Sequence, residues 1–141
     1  MIIGVPKEIK NHEYRVGLTP RSVKECVSKG HKVLTQTNAG VGIGASDDEY
    51  SACGAEIIST AAEIFGTAEM IVKVKEPQAS EIAMLREGQI LYTYLHLAPD
   101  PEQTKGLVGS GAICIAYETV TSSRGGLPLL APMSKVAGRM A

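Results

Sequence analysis

His96 stands where a proton-transfer group would be useful. The run Gln89-Ile-Leu-Tyr-Thr-Tyr-Leu-His-Leu-Ala-Pro99 begins as a buried strand, stops at Pro99 and leaves His96 at its carboxyl end. Ligands of open α/β sheets sit in the crevice outside such ends. Histidine is also the side chain whose ordinary pKa lets it give and take a proton near neutrality. Lys7 and Glu8 follow a first apolar run, Lys75 ends Met70-Ile-Val-Lys-Val-Lys75, and Glu118 closes the apolar run from Ala112. In a parallel sheet these reach one edge, and Arg15, in the loop leaving the first run, can join them. Arginine offers a carboxylate a planar fork and lysine a compact charge. With a titrating histidine, they suit a small acid bearing a carbonyl or an amine.

Each of these residues also has a plain structural reading. A histidine at a strand end can be a core-edge group, a lysine there a solvated edge charge, and Arg15 a loop charge. Glu118 lacks an evident acid–base partner and reads as support for the edge. Met133 and Ser134 fall just past Pro132 in a final helix, where Ser134 on pattern alone is a second-turn hydroxyl. Gly40-Val-Gly-Ile-Gly-Ala45 matches the dinucleotide fingerprint in letters, after a strand and before a helix. The helix behind it is short and starts only at Ser46, and no strand ending in an acid follows about 20 residues on. It therefore reads as a flexible loop. Ser46-Asp-Asp-Glu49 is a capping box rather than a metal site, since acids are expected at helix N-termini.

Positioning these groups falls to short alternating elements. Ile2 to Val5 reads as a strand. Thr19-Pro20 opens a helix with Val23, Cys26 and Val27 on one face, ended by Gly30. Lys32 to Thr37 is a strand, Ser46 to Gly54 a short helix, and Glu56 to Ser59 a brief strand. Thr60 to Phe65 is helical and stops at Gly66, Met70 to Lys75 is a strand, and Ser80 to Arg86 a short helix. After the His96 strand, Asp100-Pro-Glu caps a helix ending at Gly109-Ser-Gly, Ala112 to Thr119 is the last strand, and Pro132 opens a helix through Ala141. This alternation predicts an α/β fold: a doubly wound, mostly parallel sheet with helices on both faces, flavodoxin- or Rossmann-like. The last helix has no C-cap, so the expectation is an incomplete domain over 1–128 and the start of a connecting helix over 129–141.

Composition narrows the function. A chain of 141 residues and 14.9 kDa is one domain's worth. Net charge of −1, from 14 basic and 15 acidic residues, gives nucleic acid no electrostatic footprint. One Phe, five Tyr and no Trp offer little for base stacking. No apolar run approaches the roughly 18 residues of a membrane span, and the amino terminus has no signal-peptide pattern. Cys26, Cys53 and Cys114 are odd in number without CxxC spacing, against both a disulfide framework and a zinc site. A cytoplasmic protein is expected.

Five blocks, in order along the chain, resemble the alanine dehydrogenases: Ile3-Gly-Val-Pro-Lys-Glu8, Glu13-Tyr-Arg-Val-Gly-Leu-Thr-Pro20, Val72-Lys-Val-Lys-Glu-Pro77, Tyr94-Leu-His-Leu-Ala-Pro99 and Leu129-Leu-Ala-Pro-Met-Ser-Lys-Val-Ala-Gly-Arg139. The resemblance implies an NAD-dependent enzyme that interconverts L-alanine with pyruvate and ammonia in a cleft between a substrate domain and a Rossmann-type NAD domain. Residues 1–128 then look like part of the substrate domain and 129–141 like the start of the helix to the NAD domain. By the same resemblance Arg15 binds the substrate carboxylate, Lys75 binds substrate, His96 is the acid/base, Met133 lines the pocket and Ser134 contacts NAD. The implied mechanism is hydride transfer from Cα to nicotinamide, after which His96 assists attack of water on the imine. It also implies a homo-oligomer, often a hexamer. A transhydrogenase alpha subunit, whose amino-terminal domain is similar, is the nearest alternative, and a degenerate, non-catalytic binding module is the other.

Overall fold

Alternating side chains commit the central strands to two cores at once. In β1 (Ile2–Val5), Ile3 and Val5 enter one core while Ile2 packs on the other. In β2 (Lys32–Gln36), Val33 and Leu34 divide in the same way. In β4 (Met70–Val72), Val72 joins the first core and Ile71 the second. A sheet apolar on both faces must be covered on both. On the first face lie α1 (Pro20–Ser28), through Val23, and α2 (Asp47–Ala52), through Tyr50. On the second lie α3 (Ala61–Thr67), through Ile64 and Phe65, α4 (Ala79–Ile82), through Ile82, and α5 (Pro101–Ser110), through Leu107. Each fully buried Phe or Leu contributes about 1.5–3 kcal/mol.

The structure, a computed structural model, describes residues 1–140. With β3 (Glu56–Ile58), β5 (Ile90–Thr93) and β6 (Ile113–Ala116) the sheet has six strands in the order β3-β2-β1-β4-β5-β6. Every pairing is parallel, so the expected doubly wound sheet is present. The chain winds outward from β1 to β3, then restarts at β4 beside β1 and winds the other way. The crevice above the carboxyl ends of β1 and β4 is thus a topological switch point.

Several boundaries differ from the expectation, each for a local reason. The helix expected to stop at Phe65 runs through Gly66 to Thr67. Its last carbonyls are satisfied from outside: Gln89 Nε2 donates to Phe65 O and Ala68 O, each at 2.8 Å, and Arg86 Nη2 donates to Ala68 O. The strand expected to reach Lys75 ends at Val72, although Lys73 N–H still donates to Tyr92 O and Tyr94 N–H to Val74 O. The run expected to reach Thr119 turns after Ala116 into a 3-10 turn over Tyr117–Thr119. The helix expected over Ser80–Arg86 covers only Ala79–Ile82. The last helix, α6 (Ala131–Met140), starts one residue before Pro132, and its expected extension to Ala141 lies outside the described residues. The capping boxes at Ser46–Glu49 and Thr60–Glu63 are both formed.

Candidate active site

Above the switch point, Arg15, Lys75, Tyr94, His96, Glu118 and Met133 line one cavity of about 330 Å³. Its floor is the loop after β1, the ends of β4 and β5, and the first turn of α6. Of the groups expected at one sheet edge, Lys75, His96 and Glu118 meet here together with Arg15, and Met133 of the final helix joins them. Ser134 is not among the cavity's lining residues; it is exposed, and its hydroxyl donates to Leu130 O at 3.3 Å within the helix.

Arg15 does not enter the cavity unassisted. Its Nε and Nη2 donate to Glu13 Oε1 and Oε2 at 2.8 and 2.6 Å, and its backbone N–H to Glu13 Oε1 at 2.9 Å. This bidentate pair fixes the plane of the guanidinium. Nη1 remains on the other side, 3.2 Å from Met133 Sδ. The hydrogen bonds from Arg15 hold the Glu13 carboxyl below its ordinary range, and Glu13 in turn raises the Arg15 pKa. The loop itself is seated by Gly42, where a Cβ would come within 2.2 Å of Tyr14 O. The Gly40–Ala45 loop therefore serves this close approach. It holds a 3-10 turn over Val41–Ile43 rather than opening a helix around a phosphate.

Lys75 follows a tightly bound segment. Lys73 is wholly buried, and its Nζ donates to Glu8 Oε2 at 3.0 Å and to Glu81 Oε1 at 2.7 Å. Glu8 Oε1 also accepts from Val74 N–H at 2.6 Å, and Glu81 Oε2 from Gln78 N–H at 2.8 Å. Thr93 Oγ1 donates to Lys75 O at 2.9 Å. Glu8, expected at the crevice, is instead buried in this ion-pair group, because a buried lysine requires carboxylate partners. Lys7 of the same expected set is exposed and lines a neighbouring cavity under the 7–15 loop.

His96 adopts the left-handed backbone conformation, φ 48°, which is uncommon for a residue with a Cβ. Glu118 Oε1 accepts from His96 N–H at 2.7 Å and from Leu95 N–H at 3.1 Å. Gln103 Nε2 donates to Leu95 O at 2.6 Å. Beside it the Tyr94 hydroxyl donates to Leu129 O at 2.5 Å, and its ring meets Tyr117 edge-on with centroids 4.9 Å apart. Burial raises the Tyr94 pKa, so its hydroxyl is a neutral donor. At the rim Lys10 pairs with Glu76.

The charges of this cavity are therefore mostly engaged: Lys10 with Glu76, Arg15 with Glu13, and Glu118 with backbone N–H groups. Among the described residues Lys75 makes no ion pair, while the Nη1 side of Arg15 meets only a thioether. An uncompensated ammonium and a free guanidinium edge suit a small anion, with a histidine and an apolar wall beside them. Sequence reasoning missed Glu13, Lys73 and Glu81, whose roles depend on partners distant in the chain or hidden by an ordinary loop context.

The alanine dehydrogenase/PNT N-terminal domain family model matches residues 4–137. An alanine dehydrogenase of Halomonas elongata is 60% identical over 141 residues, covering 100% of this chain and 38% of its own length. One from Bacillus subtilis is 54% identical over 141 residues, with 100% and 37% covered. Among solved structures, an L-alanine dehydrogenase superposes with a TM-score of 0.94 at 49% identity over 99% of this chain and 38% of that one. A transhydrogenase from Sinorhizobium meliloti superposes with a TM-score of 0.79 at 31% identity, over 84% of this chain and 34% of that one. The chain thus spans 38% or less of the length of these relatives. The family model matches nearly the whole chain, residues 4–137, so the chain belongs to the alanine dehydrogenase/PNT N-terminal domain family.

Proposed function

We propose that the chain is the amino-terminal part of an NAD-dependent alanine dehydrogenase and supplies the pocket in which L-alanine and pyruvate are interconverted. The observation that carries this reading is the meeting of Arg15, Lys75, His96 and Met133 around one cavity. In this reading residues 1–128 are part of the substrate domain and 129–141 begin the helix to an NAD-binding domain. The Gly40–Ala45 loop, closed by the Tyr14 backbone, does not fit a dinucleotide. NAD is then held outside residues 1–128, with Ser134 on α6 at its border.

NAD, when bound, supplies the hydride acceptor. The chain's own residues bind and orient. The Nη side of Arg15, set by Glu13, and the Lys75 ammonium take the substrate carboxylate and the oxygen at its neighbouring carbon. Met133 and Leu130 offer the apolar wall that a methyl group needs. His96 then moves the proton between the reacting carbon's oxygen or nitrogen and water. A cytoplasmic homo-oligomer is the proposed setting, and no helix among the described residues is long and apolar enough to cross a membrane.

A transhydrogenase subunit shares the fold but has no need of an amino-acid pocket. Calorimetric titration with pyruvate separates the two. The expected result is saturable binding that weakens about 10- to 100-fold in Arg15→Ala or Lys75→Ala, since each removes a charge-assisted bond to the carboxylate. No binding, or binding indifferent to both substitutions, overturns the reading.

A further inference from the structure

We propose that Glu118 is the positioning residue for His96, acting through the backbone rather than through the imidazole. The inference rests on the reading of His96 as the proton-transfer group. Three observations converge on it. His96 carries a φ of 48°, a conformation that a residue with a Cβ keeps only where its surroundings impose it. The His96 N–H donates to Glu118 Oε1 at 2.7 Å and the Leu95 N–H is shared between Oε1 and Oε2 at 3.1 and 3.2 Å, so that successive amides close on one carboxylate. On the opposite side of the same peptide, Gln103 Nε2 fixes Leu95 O at 2.6 Å.

The consequence is geometric. β5 ends at Thr93 and Pro99 forbids a continuation, so the three residues from Tyr94 have no ladder partner beyond Val74 to hold them. Glu118, delivered by the 3-10 turn after β6, supplies that missing partner. It converts an exposed strand end into a fixed turn with His96 on the cavity wall. The shortest of these bonds, from His96 N–H, needs only one oxygen at the right distance, so reach matters more than charge.

The test uses the full natural polypeptide, assayed as pyruvate-dependent NADH oxidation with ammonia, in Glu118→Gln, Glu118→Asp and His96→Ala variants. Gln keeps an acceptor oxygen at the same reach without the charge, whereas Asp keeps the charge but falls one methylene short. The expected result is kcat within about fivefold of wild type for E118Q and down about 10- to 100-fold for E118D, since a displacement near 1 Å costs that much. KM for pyruvate stays within about threefold in both, because Arg15 and Lys75 are untouched. An inactive E118Q beside an active E118D would show that charge is what matters and overturn the proposal. So would kcat and KM moving together in E118D, or an unchanged kcat in both variants while H96A is dead. Activity retained in H96A overturns the reading of His96 itself and the proposal with it.

Discussion

The Arg15–Glu13 pair decides how the site meets its ligand, and it can be perturbed without touching the cavity wall. Glu13 takes Nε and Nη2, so Glu13→Gln leaves the guanidinium one neutral partner and freedom to rotate. The expected outcome is pyruvate affinity reduced on the order of tenfold with little change in kcat, read from initial rates on the full polypeptide. Stability should follow acid in a definite direction. Glu13 titrates below its ordinary 4.5, so its contribution is complete above that pH and disappears as pH falls through the depressed value. Because Arg15 is partly exposed, solvent screening limits that contribution to about 1 kcal/mol. Urea midpoints of wild type and E13Q should therefore differ at pH 7 and converge as pH falls through that depressed value; equal midpoints at pH 7 would remove the pair from the stability account. The meeting of Lys75 and His96 at one edge was legible because each closes an apolar run, and Arg15 could be placed near them only as a charge in the loop leaving the first run. Glu13 was not legible, because a carboxylate two residues from an arginine in a polar loop carries no mark distinguishing a clamp from a solvated charge.

At the scale of elements, the segment between β4 and α4 hangs on Lys73. Substituting Lys73→Met leaves Glu8 and Glu81 buried together without a cation, a loss of about 3–5 kcal/mol. Glu81→Gln keeps a hydrogen-bonding partner and should cost clearly less; a K73M protein as stable as wild type to urea would contradict the account. Tyr50 plays the corresponding part for the loop before α1. Its hydroxyl donates to Leu18 O at 2.8 Å, and Tyr50→Phe should cost about 1–3 kcal/mol. Burial pushes the Tyr50 pKa up to about 12, so this contribution is complete below the ordinary value near 10 and is lost as pH rises through 12. The gap between wild type and Y50F should accordingly close in strong alkali. Element order and caps were readable from Thr19-Pro20, Ser46–Glu49 and Asp100-Pro101, since each depends on neighbours within four residues. The early end of β4 was not, because the burial of Lys73 is dictated by glutamates 65 and 8 residues away. Periodicity alone reports nothing about such partners.

For the whole molecule, strand alternation foretold the doubly wound sheet, and the switch point between β1 and β4 then fixed where the site must lie. Which surfaces remain open could not be foretold, since it depends on what packs where. α6 has no buried residue, and Val136 and Met140 on it are 59% and 83% exposed. On β6, Ile113 and Ile115 are 53% and 41% exposed, so the last strand offers apolar side chains to solvent. Arg15, Lys75 and His96 meet at the cavity from the loops after β1, β4 and β5, whereas the Gly40–Ala45 loop is a 3-10 turn rather than a dinucleotide cradle. Binding and turnover should therefore separate. The 141-residue chain alone is expected to bind pyruvate through Arg15 and Lys75, more weakly than the full polypeptide because a half-open cavity leaves these charges solvated. It is expected to give no NADH from L-alanine and NAD at any substrate concentration, because the hydride acceptor has nowhere to be held over the substrate carbon. A pyruvate titration and a 340 nm assay on the same preparation decide the matter. Saturable binding without NADH formation supports a substrate half that waits for its cofactor half. A clear NADH-forming rate, abolished by His96→Ala, would mean that these residues hold the dinucleotide themselves.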